Sequence, residues 1–228
     1  MKKTIVVAGY GPGISQAVAR KFGEQGLSVA LVGRTAERLS AGAGALVEAG
    51  IEARPFVTDL GDPGAVRQLM RQVSGALGPI HVLHWNAMLG GQSDLLTAPV
   101  QGLRDGLELG VVSLIAGVQE ALADLKQTQG SVLVTGGSLS AYDPQVDKRA
   151  IEWSVGGLAI AKAAQHKLVG LLHQQLLRDG VYVAEVTVNA IIKGSAFAQG
   201  RGTLEASAVA DAFWKLHSER KDAGVTIS

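Results

Sequence analysis

The sequence predicts a single α/β domain built on a doubly wound parallel sheet of about seven strands, with helices on both faces. Short apolar runs rich in β-branched residues alternate with longer amphipathic stretches, and a glycine-rich turn follows the first run. Strands that are apolar on both sides belong in a parallel sheet that is covered on both faces. The predicted strands are Thr4–Ala8, Ser28–Val32, Glu52–Val57, Ile80–His84, Ser131–Thr135, Val181–Val188 and Gly224–Ser228. The predicted helices are Gly13–Gln25, Ala36–Ala49, Pro63–Ala76, Pro99–Lys126, Trp153–Arg178 and Leu204–Ser218.

The composition excludes several classes of protein. Hydrophobic residues make up 47% of the 228 residues and charged residues 18%, which is the reverse of a disordered chain. The 21 Lys and Arg residues balance 20 Asp and Glu residues and form no basic block, so no nucleic-acid or membrane-surface partner is expected. Cysteine is absent and the five histidines form no metal-binding pattern, so no metal site is expected.

The N-terminal residues resemble the start of a signal peptide only briefly. Two lysines precede an apolar run, but glycines at positions 9, 11 and 13 interrupt that run too early for a signal peptide. No segment offers the ~18 uninterrupted apolar residues of a membrane helix. We therefore expect a cytoplasmic protein.

The turn after the first strand has the composition of a phosphate-binding loop. Glycines between a strand and a helix let the backbone approach a pyrophosphate, and the helix N-terminus offers free N–H groups to the anion. A tight turn that binds nothing is the alternative. The candidate cofactor residues here are Gly9, Tyr10, Gly11, Pro12, Gly13 and Ile14.

The spacing Gly9-x-x-x-Gly13-x-Ser15 resembles the TGxxxGxG loop of the short-chain dehydrogenase/reductase family, with Ala8 in place of the threonine and Ser15 in place of the last glycine. The resemblance extends over nearly the whole chain. It implies a Rossmann fold, a nicotinamide cofactor, and hydride transfer between that cofactor and a carbonyl or alcohol carbon of a small-molecule substrate.

The end of the second strand bears on which cofactor is preferred. Enzymes that prefer NAD usually place an acid there, whereas an arginine can pair with a 2′-phosphate. Here the strand runs into Arg34 and Thr35. The resemblance therefore implies NADPH (NADP), with NAD less favoured; a solvated surface arginine is the alternative.

Two further strand ends match the family's cofactor contacts. Asp59 and Leu60 resemble the pair whose aspartate meets the adenine amino group, although Asp59 could instead cap the helix that begins near Pro63. Asn86 and Ala87 are what remains of the family's NNAG segment, and Asn86 could also serve as a structural hydrogen-bond donor.

The catalytic part of the pattern is incomplete. The family uses a tyrosine as acid or base, a serine that orients the carbonyl, and a lysine four residues after the tyrosine that holds the nicotinamide ribose. Lys162 matches the lysine, but Leu158 occupies the tyrosine position and cannot transfer a proton. The serine corresponds to Gly137 by counting along the strand, or to Ser138 after a shift of one residue. A helical asparagine of the family falls near Gly110 and is missing.

A replacement acid is therefore expected if the protein is a reductase. The preferred candidate is Tyr142, in a charged loop spanning Ala141–Ile151 that could fold over the nicotinamide; His84, Tyr10 and a water near Lys162 are alternatives. Two other possibilities remain open. The protein could bind NADP(H) without turnover, as a sensor or partner subunit. It could also be a relic that binds nothing, but the presence of Arg34, Asp59, Asn86 and Lys162 argues against this.

The last predictions concern the substrate side and the quaternary structure. Ile191 or Ile192 is expected to offer backbone contacts to the carboxamide of the nicotinamide, and Lys193 could meet an acidic substrate, the cofactor phosphate or only solvent. The segment Gly194–Gly202 has the composition of a mobile substrate lid. Two long apolar helices have more apolar surface than the sheet can cover, which favours a homodimer or homotetramer.

Overall fold

The computed structural model describes residues 2–91, 94–195, 198 and 200–228 of the chain. The strands are β1 Thr4–Ala8, β2 Ser28–Gly33, β3 Ala53–Val57, β4 Ile80–Trp85, β5 Ser131–Gly137, β6 Tyr182–Val188 and β7 Gly224–Ile227. They form one parallel sheet in the order β3-β2-β1-β4-β5-β6-β7. The predicted doubly wound parallel sheet is confirmed. The five inner strands are mostly buried, whereas the edge strands β3 and β7 are largely exposed.

Helices cover both faces of the sheet, as predicted. They are α1 Ile14–Glu24, α2 Ala36–Glu48, α3 Pro63–Leu77, α4 Val100–Leu107, α5 Ser113–Thr128, α6 Pro144–Glu152, α7 Gly156–Leu176 and α8 Ala206–Glu219. On one face, α1, α2 and α8 pack into a core that includes Phe22 and Phe213. On the other face, α3, α5 and α7 pack into a second core that includes Leu69, Leu114 and Val169.

The predicted helix Pro99–Lys126 is not one regular helix. A π-helical turn at Glu108–Val112 separates α4 from α5, and Gly110 lies in the middle of it. Such turns leave carbonyl groups outside the regular helical pattern, so they need other hydrogen-bond partners and are frequent at functional sites.

The predicted loop Ala141–Ile151 is wrong, because most of it forms the helix α6. The Asp143 side chain accepts hydrogen bonds from the backbone amides of Gln145 and Val146, and Pro144 takes the first helical position. An aspartate followed by a proline is a recognised helix start, so the sequence did contain the signal.

One helical stretch, Val100–Thr128, is long and apolar enough to cross a membrane by length and composition. Within it, Leu114, Val118 and Leu125 are buried against the sheet. This is the arrangement of a core helix, so the stretch is not a clear membrane span.

The strand order places a crevice at the carboxyl ends of β1 and β4. The chain runs outward from β1 to β3 and then returns to β4 on the other side of β1, which makes this the switch point of the sheet. Ligands of open α/β sheets bind at such points.

Candidate functional site

A cleft of about 600 Å³ opens at the carboxyl ends of β1 to β4. Its volume lies in the range of ligand-binding pockets. The structure brings together here the predicted cofactor residues Gly9, Tyr10, Gly11, Arg34, Thr35, Asp59, Leu60, Asn86 and Ala87. The cleft therefore unites residues from four separate strand ends, as the order of the strands requires.

The glycine turn leads directly from this cleft into α1. Gly9 and Gly13 have φ values of +87° and +96°, which a residue with a Cβ atom rarely adopts. The Ser15 hydroxyl closes the turn, since it accepts a hydrogen bond from the Gly11 amide at 2.9 Å and donates one to the Gly11 carbonyl at 3.0 Å. Among the described residues, no side chain caps α1. The backbone N–H groups of its first turn, which begins at Ile14, are therefore available to an anion.

Tyr10 is a packing residue as well as a wall of the cleft. Only 9% of it is exposed, and a Cβ atom at Gly42 of α2 would overlap its ring. Burial raises the pKa of the Tyr10 phenol. The Tyr10 hydroxyl is therefore a poor candidate for the missing acid.

The end of β2 presents two arginines to the cleft. Arg34 and Thr35 lie on its wall as predicted, and Arg38 joins them from the first turn of α2. Neither guanidinium forms an ion pair with any residue in the described ranges. Sequence reasoning missed Arg38, although its spacing of four residues from Arg34 was visible.

Asp59 does not cap a helix. The cap of α3 is Asp62, whose carboxylate accepts a hydrogen bond from the Gly64 amide at 2.8 Å, whereas Asp59 bonds to the Gly61 amide at 2.9 Å and lines the cleft. The Asn86 side chain donates a hydrogen bond to the Gly9 carbonyl at 3.3 Å, so it does tie β4 to the glycine turn.

A second, smaller cavity of about 190 Å³ adjoins the cleft. The two share part of their walls, including Ala87, Met88 and Asp105. Leu158 and Lys162 of α7 line the smaller cavity. The position that corresponds to the family's tyrosine therefore lies beside the lysine, as the spacing of four residues predicts.

Lys162 is nine-tenths buried and is held by two hydrogen bonds. Its Nζ donates to the Thr135 carbonyl at 2.7 Å and to the Gln165 side-chain oxygen at 2.9 Å. Burial lowers the pKa of Lys162 to about 8, and the nearby Glu185 carboxylate opposes this shift. The site thus contains a lysine that releases its proton more readily than an exposed lysine does.

Gln165 connects Lys162 to the π-helical turn. While its oxygen accepts from Lys162, its side-chain nitrogen donates to the Gly110 carbonyl at 2.8 Å. This fully buried amide therefore occupies the region where the family's asparagine is missing. Sequence reasoning missed Gln165, because a glutamine in an apolar helix carries no motif.

The structure does not bring the other predicted catalytic residues together with Lys162. Tyr142 is fully exposed and lines neither cavity, which argues against its role as the proton donor. Ser138 begins a short 3₁₀ turn just after β5, and it too lies outside both cavity walls. His84 is buried against Phe213 of α8, and burial lowers its pKa to about 3, so it is neutral.

The segment after β6 lies across the glycine turn. Ile192 and Ser195 approach Gly13, while the Ile191 carbonyl accepts hydrogen bonds from the Thr203 and Leu204 amides. Of the predicted lid, positions 196, 197 and 199 lie outside the described residues. Lys193 forms an ion pair with Glu205 at 2.6 Å, so the expectation that it contacts a substrate or phosphate gains no support.

Within the part of the chain that the structure describes, no group of three or more His, Cys, Asp or Glu side chains could hold a metal ion.

Comparisons with known proteins agree with this geometry. A family model described as short chain dehydrogenase matches residues 3–199. An uncharacterized oxidoreductase of Staphylococcus epidermidis is 25% identical over 215 residues, covering 92% of this chain and 89% of the relative.

Two solved structures show the same fold. An alcohol dehydrogenase from Thermococcus sibiricus complexed with 5-hydroxy-NADP has a TM-score of 0.84 at 24% identity, with 100% of this chain and 96% of that chain covered. An NADPH-bound short chain oxidoreductase from Pseudomonas aeruginosa, described as containing an atypical catalytic center, has a TM-score of 0.85 at 20% identity, with 100% and 95% covered.

Proposed function

The chain belongs to the short-chain dehydrogenase family, and from that premise we propose that it is an NADP(H)-dependent oxidoreductase that transfers hydride between nicotinamide and a small carbonyl or alcohol substrate. One observation carries this proposal. The cleft of about 600 Å³ at the switch point shares part of its wall with a cavity lined by a nearly buried lysine.

The cleft fits a dinucleotide phosphate by the chemistry of its walls. The uncapped N-terminus of α1 offers N–H groups to the pyrophosphate, and Asp59 and Asn86 offer polar contacts further along the cleft. Arg34 and Arg38 supply two guanidinium groups for a 2′-phosphate. The NADP and NADPH complexes of the two solved structures with this fold support the same choice of cofactor.

When bound, NADPH supplies the hydride, and the protein must supply the proton that the carbonyl oxygen takes up. Among the described residues that line the smaller cavity, Asp105 and Lys162 are the ionisable ones, and Lys162 is the buried one of the two. A donor whose pKa lies near the working pH is the most effective. The Lys162 ammonium therefore takes the role of the acid that Leu158 cannot perform.

We propose further that the protein is a cytoplasmic homodimer or homotetramer. The face of α7 turned away from the sheet carries Ile160 and Leu171, which are 40% and 56% exposed, and Val112 beside α5 is 43% exposed. A second copy of the chain would remove this apolar surface from water. No nucleic acid or membrane partner is proposed.

Oxidation of NADPH in the presence of a panel of aldehydes, ketones and quinones tests the proposed reaction, followed by absorbance or fluorescence of the cofactor. Turnover that falls about 10²-fold or more in Lys162→Met, while the variant still binds NADPH, is the expected result. Tight NADPH binding without turnover of any of these compounds would instead favour the alternative that the protein is a binding subunit or sensor. The leucine at position 158, which cannot transfer a proton, is the observation that favours this alternative.

A further inference from the structure

A buried carboxylate lies beside the proposed catalytic lysine. Only 2% of Glu185 on β6 is exposed. One of its oxygens accepts hydrogen bonds from the Thr187 hydroxyl at 2.6 Å and from His166 Nδ1 at 3.2 Å. The other oxygen, Oε2, is buried and has no hydrogen-bond partner within the described residues. A carboxylate in this setting is costly unless a positive charge compensates for it.

The glycine at position 136 makes room for this carboxylate. A Cβ atom on Gly136 would overlap the Glu185 side chain, so a larger residue at position 136 would force the carboxylate out of its present place. Gly136 lies next to Gly137, which corresponds by counting to the family's active-site serine. The same strand end that lacks the serine therefore accommodates an acid.

Lys162 and Glu185 flank the same peptide unit of β5. The Lys162 Nζ donates to the carbonyl of Thr135, and the Glu185 carboxylate lies over the α carbon of the next residue, Gly136. Both side chains are more than nine-tenths buried. Opposite charges attract strongly where little water screens them, so the Glu185 carboxylate favours the charged form of the buried Lys162.

We propose that Glu185 is a positioning residue, whose carboxylate stabilises the Lys162 ammonium in the absence of a tyrosine at position 158. The two neutral acceptors of Lys162, a backbone carbonyl and the Gln165 amide, bind the ammonium but bring no compensating charge. The consequence for catalysis rests on the proposed function, whereas the coupling between the two charges does not.

Among the described residues, three other ionisable groups lie near one member of this pair or near the Thr135 residue between them. Asp105 of α4 lines the same cavity, but it is exposed and accepts a hydrogen bond from Gln101 at 2.7 Å. His166, on α7, has a side chain that is 61% exposed and shares the Glu185 carboxylate. His84 contacts the Thr135 hydroxyl at 3.2 Å and carries no charge. Within the described residues, Lys162 and Glu185 form no direct ion pair, and the Glu185 carboxylate acts on the ammonium through its charge across the Thr135–Gly136 peptide unit.

The reactivity of the Lys162 amine tests the proposal without any turnover. The purified protein is pulsed with acetic anhydride from about pH 6 to about pH 10, and acetylation of Lys162 is quantified by mass spectrometry. The midpoint for the unaltered chain is expected near pH 8. In Glu185→Gln, which keeps the shape and removes the charge, the midpoint should fall by about one pH unit or more.

Asp124→Asn is the matched control. The Asp124 carboxylate is half-buried and also accepts two hydrogen bonds, from the Ser74 hydroxyl at 2.6 Å and from the Ile80 amide at 3.0 Å. It lies at the amino end of β4, whereas Lys162 lies at the carboxyl ends of the strands. This variant should leave the Lys162 midpoint unchanged. The proposal is overturned if Glu185→Gln also leaves it unchanged.

If Glu185→Gln does not fold, the double variant Glu185→Gln with Lys162→Met tests the coupling between the two charges. Recovery of cooperative unfolding in the double variant supports the coupling, since the uncompensated charge is then removed, and absence of recovery overturns it. A shifted midpoint in a protein that reduces no carbonyl compound would leave the coupling in place and contradict only the proposed function.

Discussion

A Cβ atom placed on Gly9 would lie 2.7 Å from the backbone nitrogen of Ala87, so the glycine turn and the end of β4 meet in direct backbone contact. The Asn86 side chain reinforces this contact through its hydrogen bond to the Gly9 carbonyl. Because both segments line the cleft, this contact fixes how the glycine turn and the end of β4 are placed relative to each other in the cofactor site.

Replacing Gly9 by alanine should therefore lower both stability and cofactor affinity. The methyl group would push β4 away from the turn, and the φ value of +87° is strained for alanine, at a combined cost of about 2–3 kcal/mol. Urea unfolding and NADPH titration would measure the two effects. Gly44→Ala, at a position of α2 where a Cβ atom meets nothing within 4 Å, should be neutral or stabilise by up to about 1 kcal/mol. Equal behaviour of the two variants would show that the contact is unimportant.

The two arginines at the end of β2 should determine the preference for NADPH over NADH. Each guanidinium that pairs with the 2′-phosphate is expected to contribute about 1.5–3 kcal/mol, so Arg34→Ala or Arg38→Ala should weaken NADPH binding roughly tenfold or more. Binding of NADH, which lacks that phosphate, should change little. Quenching of tryptophan fluorescence would give both affinities.

The control for this experiment is Arg71→Ala, because Arg71 lies on α3 and pairs with Glu120 at 2.8 Å, outside the cleft. It should leave both affinities unchanged. A similar loss for NADH and NADPH in the Arg34 and Arg38 variants would contradict the assignment of the phosphate site.

The fold was predictable from the sequence because the five inner strands of the parallel sheet are apolar runs with turn residues near their ends. The strand ends then located Arg34, Asp59 and Asn86 on one cleft, since carboxyl ends of parallel strands share an edge. The sequence did not reveal contacts between distant segments. Gln165 lies 55 residues from Gly110, and nothing in either local pattern shows that the two meet.

Two errors have local causes. The loop expected at Ala141–Ile151 is a helix because Asp143 and Pro144 start one, and the charged surface residues that follow were interpreted as loop composition. Glu185 escaped notice because a single acid in a strand resembles an exposed position. Only the packing against α7 shows that it is buried beside Lys162.

The proposed role of Lys162 predicts a defined pH dependence. If the ammonium donates the proton, the rate of carbonyl reduction should fall as the pH rises through about 8, where Lys162 loses its charge. The falling limb should disappear from any residual activity of Lys162→Met. A rate that stays constant from about pH 7 to about pH 9.5 would contradict Lys162 as the acid.

The same shift has a consequence for stability, and its sign follows from proton linkage. The pKa of Lys162 is lowered to about 8 in the folded protein, so between about pH 8 and about pH 10.5 the unfolded chain binds more protons. The free energy of unfolding must then rise with pH in this window. Urea titrations give the free energy of unfolding of the unaltered chain minus that of Lys162→Met. This signed difference should increase with pH in the window, and a decrease would contradict the lowered pKa.

Leu158 gives the most direct test of the altered active site. It is half-buried, lines the smaller cavity and lies one helical turn before Lys162, so a tyrosine there would place a phenol next to the ammonium. Because a positioned general acid contributes about 10²–10⁴-fold, Leu158→Tyr should increase carbonyl reduction by up to that factor. Leu158→Phe adds the same ring without the hydroxyl and controls for packing. A gain in both variants would assign the effect to substrate contacts, whereas a gain in the tyrosine variant alone would show that the cofactor, Lys162 and position 158 still have the geometry for proton transfer.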